Sequence, residues 1–317
     1  MIPEFDWGVF LSEPWNSYQI ETTMKIVGMG FLVSAACGWI GVFLIVRRMA
    51  LIGDAISHSV LPGIVLAAML FHTLSGPWII IGAGLAGFLT TVFIEWIQKH
   101  SRIKSDAAIG IVFTSLFALG IVMVSQMKGS VHLDADCVLF GNLAEVATRN
   151  GDFILPPNMI QAAIVLGLTI LLSLMFYKEL LVSSFDPILA RSIGIRAGLV
   201  HYGKMAWLSV IVVTAFEAVG SVIVIAMLII PGATALLLSD KLRVALVLSL
   251  VHALLSSVIG YHLALWLNSN IPAAMVVAGL LLFGLAWVFS PSQGIIPVWM
   301  ARRDFSERIA LSRSGRK

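Results

Sequence analysis

Asp54 and His58 stand four residues apart in the stretch Gly53-Asp-Ala-Ile-Ser-His-Ser-Val-Leu-Pro-Gly63. An acid beside an imidazole can share a proton or a divalent cation. On a helix this spacing sets both side chains on one face, one turn apart. Pro62 follows four residues after His58, so it cannot donate to the His58 carbonyl and crowds it instead. Two polar side chains beside a freed carbonyl are costly inside an apolar span and need a reason. At this level two readings stand side by side. One is a transit site for a divalent cation. The other is a helix start, with Asp54 as N-cap and His58 hydrogen-bonded nearby.

The elements that position this pair follow from composition. Hydrophobic residues make up 59% of the 317 and charged residues 12%, with a mean hydropathy of +0.98. A soluble domain carries about 25% charge, so the chain reads as an all-α, polytopic membrane protein. Segments long enough to span fall at about 26–46, 54–72, 77–97, 107–127, 153–176, 199–216, 218–238, 244–266 and 271–290. The division inside the apolar block 199–238 rests on the sequence around Glu217, so the count is nine, with eight as the alternative.

Charge orients the spans. With the N-terminus outside and the C-terminus inside, every basic residue except Lys25, Lys128 and Arg149 falls on the cytoplasmic side or in the tail. That placement also sets aside a nucleic-acid reading of the pI near 9.0. The outer face is then acidic, carrying Glu4, Asp6, Glu13, Glu21, Asp134, Asp136, Glu145 and Asp152. Such a face concentrates cations. Residues 1–20 contain acids and no basic residue, so no cleavable signal peptide is expected, and no lipidation motif is found. The chain divides into an extracytoplasmic segment 1–25, a membrane domain 26–290 and a basic cytoplasmic tail 291–317.

Several further residues invite a role. In the cytoplasmic loop from Tyr177 to about Gly198, Asp186 suits an N-cap, Pro187 the first helical position and Gly194 the stop. The short helix so defined offers Ile188, Leu189 and Ile193 as an apolar knob for a partner's groove. Pro231-Gly232 echoes Pro62-Gly63, and paired interruptions of this kind can mark broken helices around a binding site. Glu217 is a second embedded acid, either a pathway residue or a structurally paired one. His252 and His262 are ten residues apart, too far to share an ion, and read as packing histidines. His132 and Asp136 lie in an outer loop without a closing ligand set. Cys37 and Cys137 share no disulfide or zinc spacing, and Cys37 reads as a small packing residue. No P-loop, HExxH, GxSxG or strand-borne GxGxxG occurs, so nucleotide hydrolysis and familiar hydrolase chemistry are not expected of this chain.

Taken together, the segments Arg47 to Gly63, Ser105-Asp-Ala-Ala-Ile-Gly-Ile111, Phe185 to Gly194, Val219 to Ala235 and Phe289-Ser-Pro-Ser-Gln-Gly294 resemble the permease subunits of bacterial manganese/zinc/iron ABC importers, the ABC-3 family. The sequence departs from the family pattern at Asn270–Ala274, where a Gly-containing turn is more typical, and a regulator-like C-terminal domain, as some relatives have, is not expected. The resemblance implies a helical permease of the vitamin B12/iron-siderophore importer type in the bacterial cytoplasmic membrane. It implies a homodimer or a heterodimer with a sister permease. Two cytoplasmic P-loop ATPase subunits and an extracytoplasmic metal-binding protein complete the importer. It assigns Asp54 and His58 to the metal pathway, and Asp186, Pro187, Ala190 and Gly194 to ATPase coupling. No permanently bound cofactor is expected, the metal being cargo. An ion-coupled secondary transporter without ATPases is the alternative.

One difficulty is geometric. Asp54 lies six residues past Arg48, a helical rise of about 9 Å, which would leave it near the inner interface. A pathway role therefore calls for residues 47–53 to enter the protein irregularly, with a helix break and a restart near Pro62.

Overall fold

The structure is a computed structural model that describes residues 7–8, 10, 13–16, 19–72, 77–126, 143–144, 155–290, 294 and 297, the side chains of residues 13, 77, 217, 221 and 222 excepted. The outer loop around His132 and Asp136, Cys137 and nearly all of the tail 291–317 lie outside the described residues.

The chain forms α1 (Ile20–Val46), α2 (Leu51–Ser59), α3 (Leu61–Phe71), α4 (Pro77–His100), α5 (Ser105–Gln126) and α6 (Pro157–Met175), with Pro as the first residue of α4 and α6. After these come α7 (Tyr177–Phe185), α8 (Pro187–Ser192), α9 (Ala197–Val219), α10 (Ser221–Leu238), α11 (Leu242–Leu267) and α12 (Ile271–Phe289). Most of the long helices are apolar on all sides, as suits an apolar surround. Large side chains accordingly stay exposed on the outer helices, such as Leu85, Leu89 and Phe93 of α4 and Leu280, Leu281 and Leu285 of α12. Eight spans among the described residues are long and apolar enough to cross a membrane, α2 and α3 counting as one. Ile223–Leu238 of α10 is a shorter apolar ninth.

α1 is the axis of the bundle. Most of it is buried, and it packs against α6, α9, α10 and α11. Its approach to α10 depends on small residues: a Cβ on Gly41 would collide with the Leu228 carbonyl, and one on Gly38 would press on Pro231. Close backbone approach through glycine is the usual means of packing helices in membranes.

Two expectations about helix breaks need correction. Pro231 and Gly232 do not interrupt α10, which runs through both. The missing proline N–H leaves one carbonyl unpaired but the turns continue, held by the contact with α1. The break falls instead at Gly220, with φ 77° and ψ 164°, a conformation essentially reserved for glycine. Gly220 thereby divides the block 199–238 into α9 and α10.

The other correction concerns residues 47–53. Met49 N–H donates to the Leu44 carbonyl and Arg48 N–H to that of Ile45, both at 2.9 Å, with Arg48 at φ 57°. This is a Schellman stop with Arg in the place glycine usually takes. α2 then starts at Leu51 as a regular helix, with Ala50 and not Asp54 as its N-cap. A discontinuity does occur near Pro62, at Val60. It is slight: Val60 keeps helical angles, and its N–H donates to Ile56 while its carbonyl accepts from Ile64, each at 3.1 Å.

Candidate functional site

Asp54 sits in the first turn of α2 and His58 in its last, with Oδ1 and Nε2 3.4 Å apart. The other polar side chains of this helix are satisfied locally. Ser57 Oγ donates to the Gly53 carbonyl, and Thr90 Oγ1 of α4 donates to Ser59 Oγ at 2.6 Å. The His58 ring lies between two phenyl rings of α5, Phe113 at 5.8 Å and Phe117 edge-on at 5.7 Å. These contacts fix the orientation of the imidazole without occupying its nitrogens.

Neighbouring helices give the depth of the pair. Phe113 and Phe117 flank the middle of the 22-residue α5. Ile56, between Asp54 and His58, presses with Ser209 into the gap above Gly87. Gly87 and Ser209 are both near the middle of their helices, α4 and α9. The pair therefore lies at mid-helix level without any irregular entry. α2 achieves this by packing along α4, α5 and α9 directly after a short, partly exposed turn that Arg47 ties to α9.

The Asp54 side chain is 32% exposed and that of His58 23%. Lipid does not accept an exposed carboxylate at this level, so the face needs a wet path or another protein against it. Among the described residues no group of three His, Cys, Asp or Glu side chains gathers into a metal site. The pair can supply two ligands, one oxygen and one nitrogen, of the four to six that Zn(II), Mn(II) or Fe(II) takes.

The segment from Tyr177 to Gly194 follows its sequence closely. Asp186 Oδ1 accepts from the N–H groups of Ile188 and Leu189, both at 2.9 Å, and Pro187 opens α8. Gly194 ends the motif at φ 85°. Ala190 is fully buried against the bundle, while Ile188 is 77% exposed and Phe185, Leu189 and Ile193 are exposed too. α8 thus presents an apolar knob on a capped, six-residue post.

The remaining candidates separate. Glu217 belongs to the last turns of α9, just before the Gly220 break, and its side chain lies outside the described residues. His262 is fully engaged: Trp15 Nε1 donates to its Nε2 at 3.2 Å, and its Nδ1 donates to the Phe10 carbonyl. His252 is only half engaged. Its Nε2 donates to the Gly279 carbonyl at 3.1 Å, and Nδ1 is buried without a partner among the described residues. The ring borders a small void also lined by Ser34, Met227 and Ser256. Cys37 is a buried free thiol.

A second acid–imidazole pair was not anticipated from the sequence. Glu95 of α4 bonds through Oε1 to His201 Nε2 of α9. Its Oε2 accepts from Tyr202 Oη at 2.5 Å and from Lys99 Nζ at 3.0 Å. His201 Nδ1 lies 3.0 Å from Arg47 Nη1. Arginine can only donate, so Nδ1 accepts and Nε2 carries the proton given to Glu95. Burial lowers the Arg47 pKa from its ordinary value, and the Glu95 charge opposes that shift. The signal in the sequence was Glu95 and His201 each inside an expected apolar span, but nothing local joins them.

Known proteins give an independent view. Residues 19–290 match the family described as ABC 3 transport family. Over 276 residues the chain is 44% identical to the manganese transport system membrane protein MntD of Bacillus subtilis, covering 86% of this chain and 93% of that protein. Over 278 residues it is 43% identical to the zinc transport system membrane protein TroD of Treponema pallidum, covering 86% of this chain and 76% of that protein. Among solved structures it is similar to PsaBC from Streptococcus pneumoniae in complex with Fab. There the TM-score is 0.75 at 33% identity, over 90% of this chain and 96% of that one.

Proposed function

The chain belongs to the ABC 3 transport family, and from that premise we propose that it carries Mn(II), Zn(II) or Fe(II) inward past Asp54 and His58. It is a multi-pass membrane permease of an ABC transport system of the manganese, zinc and iron class. The observation that carries the pathway reading is the partly exposed carboxylate–imidazole pair at mid-helix level, on a face that lipid cannot cover.

In this reading an extracytoplasmic binding protein delivers the cation to the acidic outer side. Asp54 then supplies a hard oxygen and His58 a neutral ring nitrogen, a set that suits these ions better than softer ones. Water or a second permease, identical or sister, contributes the remaining ligands and shields the exposed face. Two ligands alone hold a cation weakly, which suits a site that must also release it. P-loop ATPases on separate chains seat α8 in a groove, with Ile188 and Leu189 as the buried knob and Asp186 holding the post rigid. Their closure moves α8 and switches access between the two faces.

Radiometal uptake tests the reading. Asp54→Ala should reduce uptake to background while the chain still assembles with its ATPase, and full uptake in that variant would sink the pathway assignment. Uptake that continues when the ATPase partner is catalytically dead would instead favour an ion-coupled carrier. Competition among Mn(II), Zn(II) and Fe(II) identifies the cargo.

A further inference from the structure

Lys204 is a buried lysine with no use in the transport scheme above. It lies one turn beyond His201 on α9, is 5% exposed, and its Nζ has no hydrogen-bond partner among the described residues. Long lysine stems usually let the ammonium reach water; this one does not. Arg47 is near enough to repel it. An amine buried without a hydrogen-bond partner is costly whether charged or neutral, and packing alone would be served better by Met or Leu.

The acid of this cluster is Glu95, and in this conformation His201, Tyr202 and Lys99 occupy it. His201 and Lys204 are three residues apart on α9 and so share a face. Lysine on a helix leans toward the N-terminal end, which for Lys204 is the level of His201. A small slide or turn of α9 would thus exchange one for the other against α4.

We propose that Lys204 is the second partner of Glu95: during transport α9 passes Glu95 from His201 to Lys204. The exchange has a consequence for the metal pair. His201 also holds Arg47, the residue that closes α1 four positions before α2 begins. When His201 leaves Glu95 it carries the Arg47 bond with it, and the turn that aims α2 shifts. α9 starts three residues after the Gly194 stop, so a push on α8 reaches His201 through little more than one helical turn. One-turn exchanges of this kind are an established form of two-state switch. Lys204 is here a positioning residue, acting through α9 and α2. The proposal rests on the reading that α8 receives the ATPase stroke and that α2 carries the metal.

The experiment combines uptake with stability. Radiometal uptake is measured in cells making the full permease with its ATPase and binding protein, and thermal unfolding is measured on the purified permease in detergent. Lys204→Met removes the unpartnered amine and keeps most of the volume. Its unfolding temperature should stay level or rise, by about 2–4 °C per kcal/mol gained, while uptake falls about tenfold or more. Lys204→Arg, which can still pair with Glu95, should retain most of the uptake. Glu95→Gln should reduce uptake similarly, and the double variant should be no worse than either single one, as expected of two residues in one interaction. Wild-type uptake in Lys204→Met overturns the proposal, as does a fall in uptake together with a fall in unfolding temperature. Multiplying losses in the double variant overturn it too. Persistent uptake in Asp54→Ala would sink the pathway reading and leave these ratios standing.

Discussion

Asp54 meets His58 within a single helix, whereas Glu95 meets His201 across two. The first pair is loose at 3.4 Å, partly exposed, and its ring is steadied only by phenyl groups. The second is closed: Tyr202, Lys99 and Arg47 take up the remaining hydrogen-bonding positions of both residues. The same two functional groups are therefore prepared for opposite tasks. Open ligand positions at mid-helix level are what the proposed cation pathway calls for. A saturated network between α1, α4 and α9 holds helices in place, and the cations around it would repel a metal ion. Residue type alone does not make a metal site; unfilled coordination positions do.

The difference is broken most directly by removing each acid. Asp54→Ala should abolish radiometal uptake with little change in the unfolding temperature, because the pair adds little to packing. Glu95→Ala should do the reverse at the level of the fold, destabilising the purified chain by about 3 kcal/mol by leaving His201 and Arg47 uncompensated. Thermal unfolding in detergent measures this. Equal stability losses for the two variants would erase the distinction between an open and a closed pair.

Smaller changes sharpen it. α9 is pinned near its N-terminal end by the closed pair and released at its C-terminal end by Gly220. Gly220→Ala forces a side chain into φ 77°, ψ 164° and should cost about 2 kcal/mol, read as a lower unfolding temperature. Asp186→Ala removes two N–H acceptors from α8 and should cost about 1 kcal/mol locally. Its larger effect should be on uptake per ATP hydrolysed in the reconstituted importer, with Asp186→Asn restoring most of it.

Much of this was legible in the chain. Asp54 and His58 share a helical face because a spacing of four residues requires it. Asp186-Pro187 and Gly194 delimit α8 because cap and stop chemistry acts over a few residues. Less legible was the course of the chain around proline. Pro62 leaves only a slight discontinuity at Val60, and Pro231 leaves α10 intact, since neighbouring turns and the tight contact with α1 hold the helix together. The expected irregular entry at 47–53 was an inference from rise alone. It did not foresee that a compact, partly exposed Schellman turn leads straight into a regular α2, whose packing on α4, α5 and α9 sets Asp54 and His58 level with the middle of those helices.

The sequence by itself determined the apolar spans and every pair that acts within one helix, because hydropathy and the helical repeat are local. Only the tertiary structure decided the depth of His58 and the meeting of Arg47 and Glu95 with His201, and left Lys204 buried beside them. Arg47, Glu95 and His201 are distant in sequence, and they come together because α1 and α4 both pack against α9. Whether a buried charge is paired or left waiting depends on that packing, since a partner across a helix interface leaves no spacing to read.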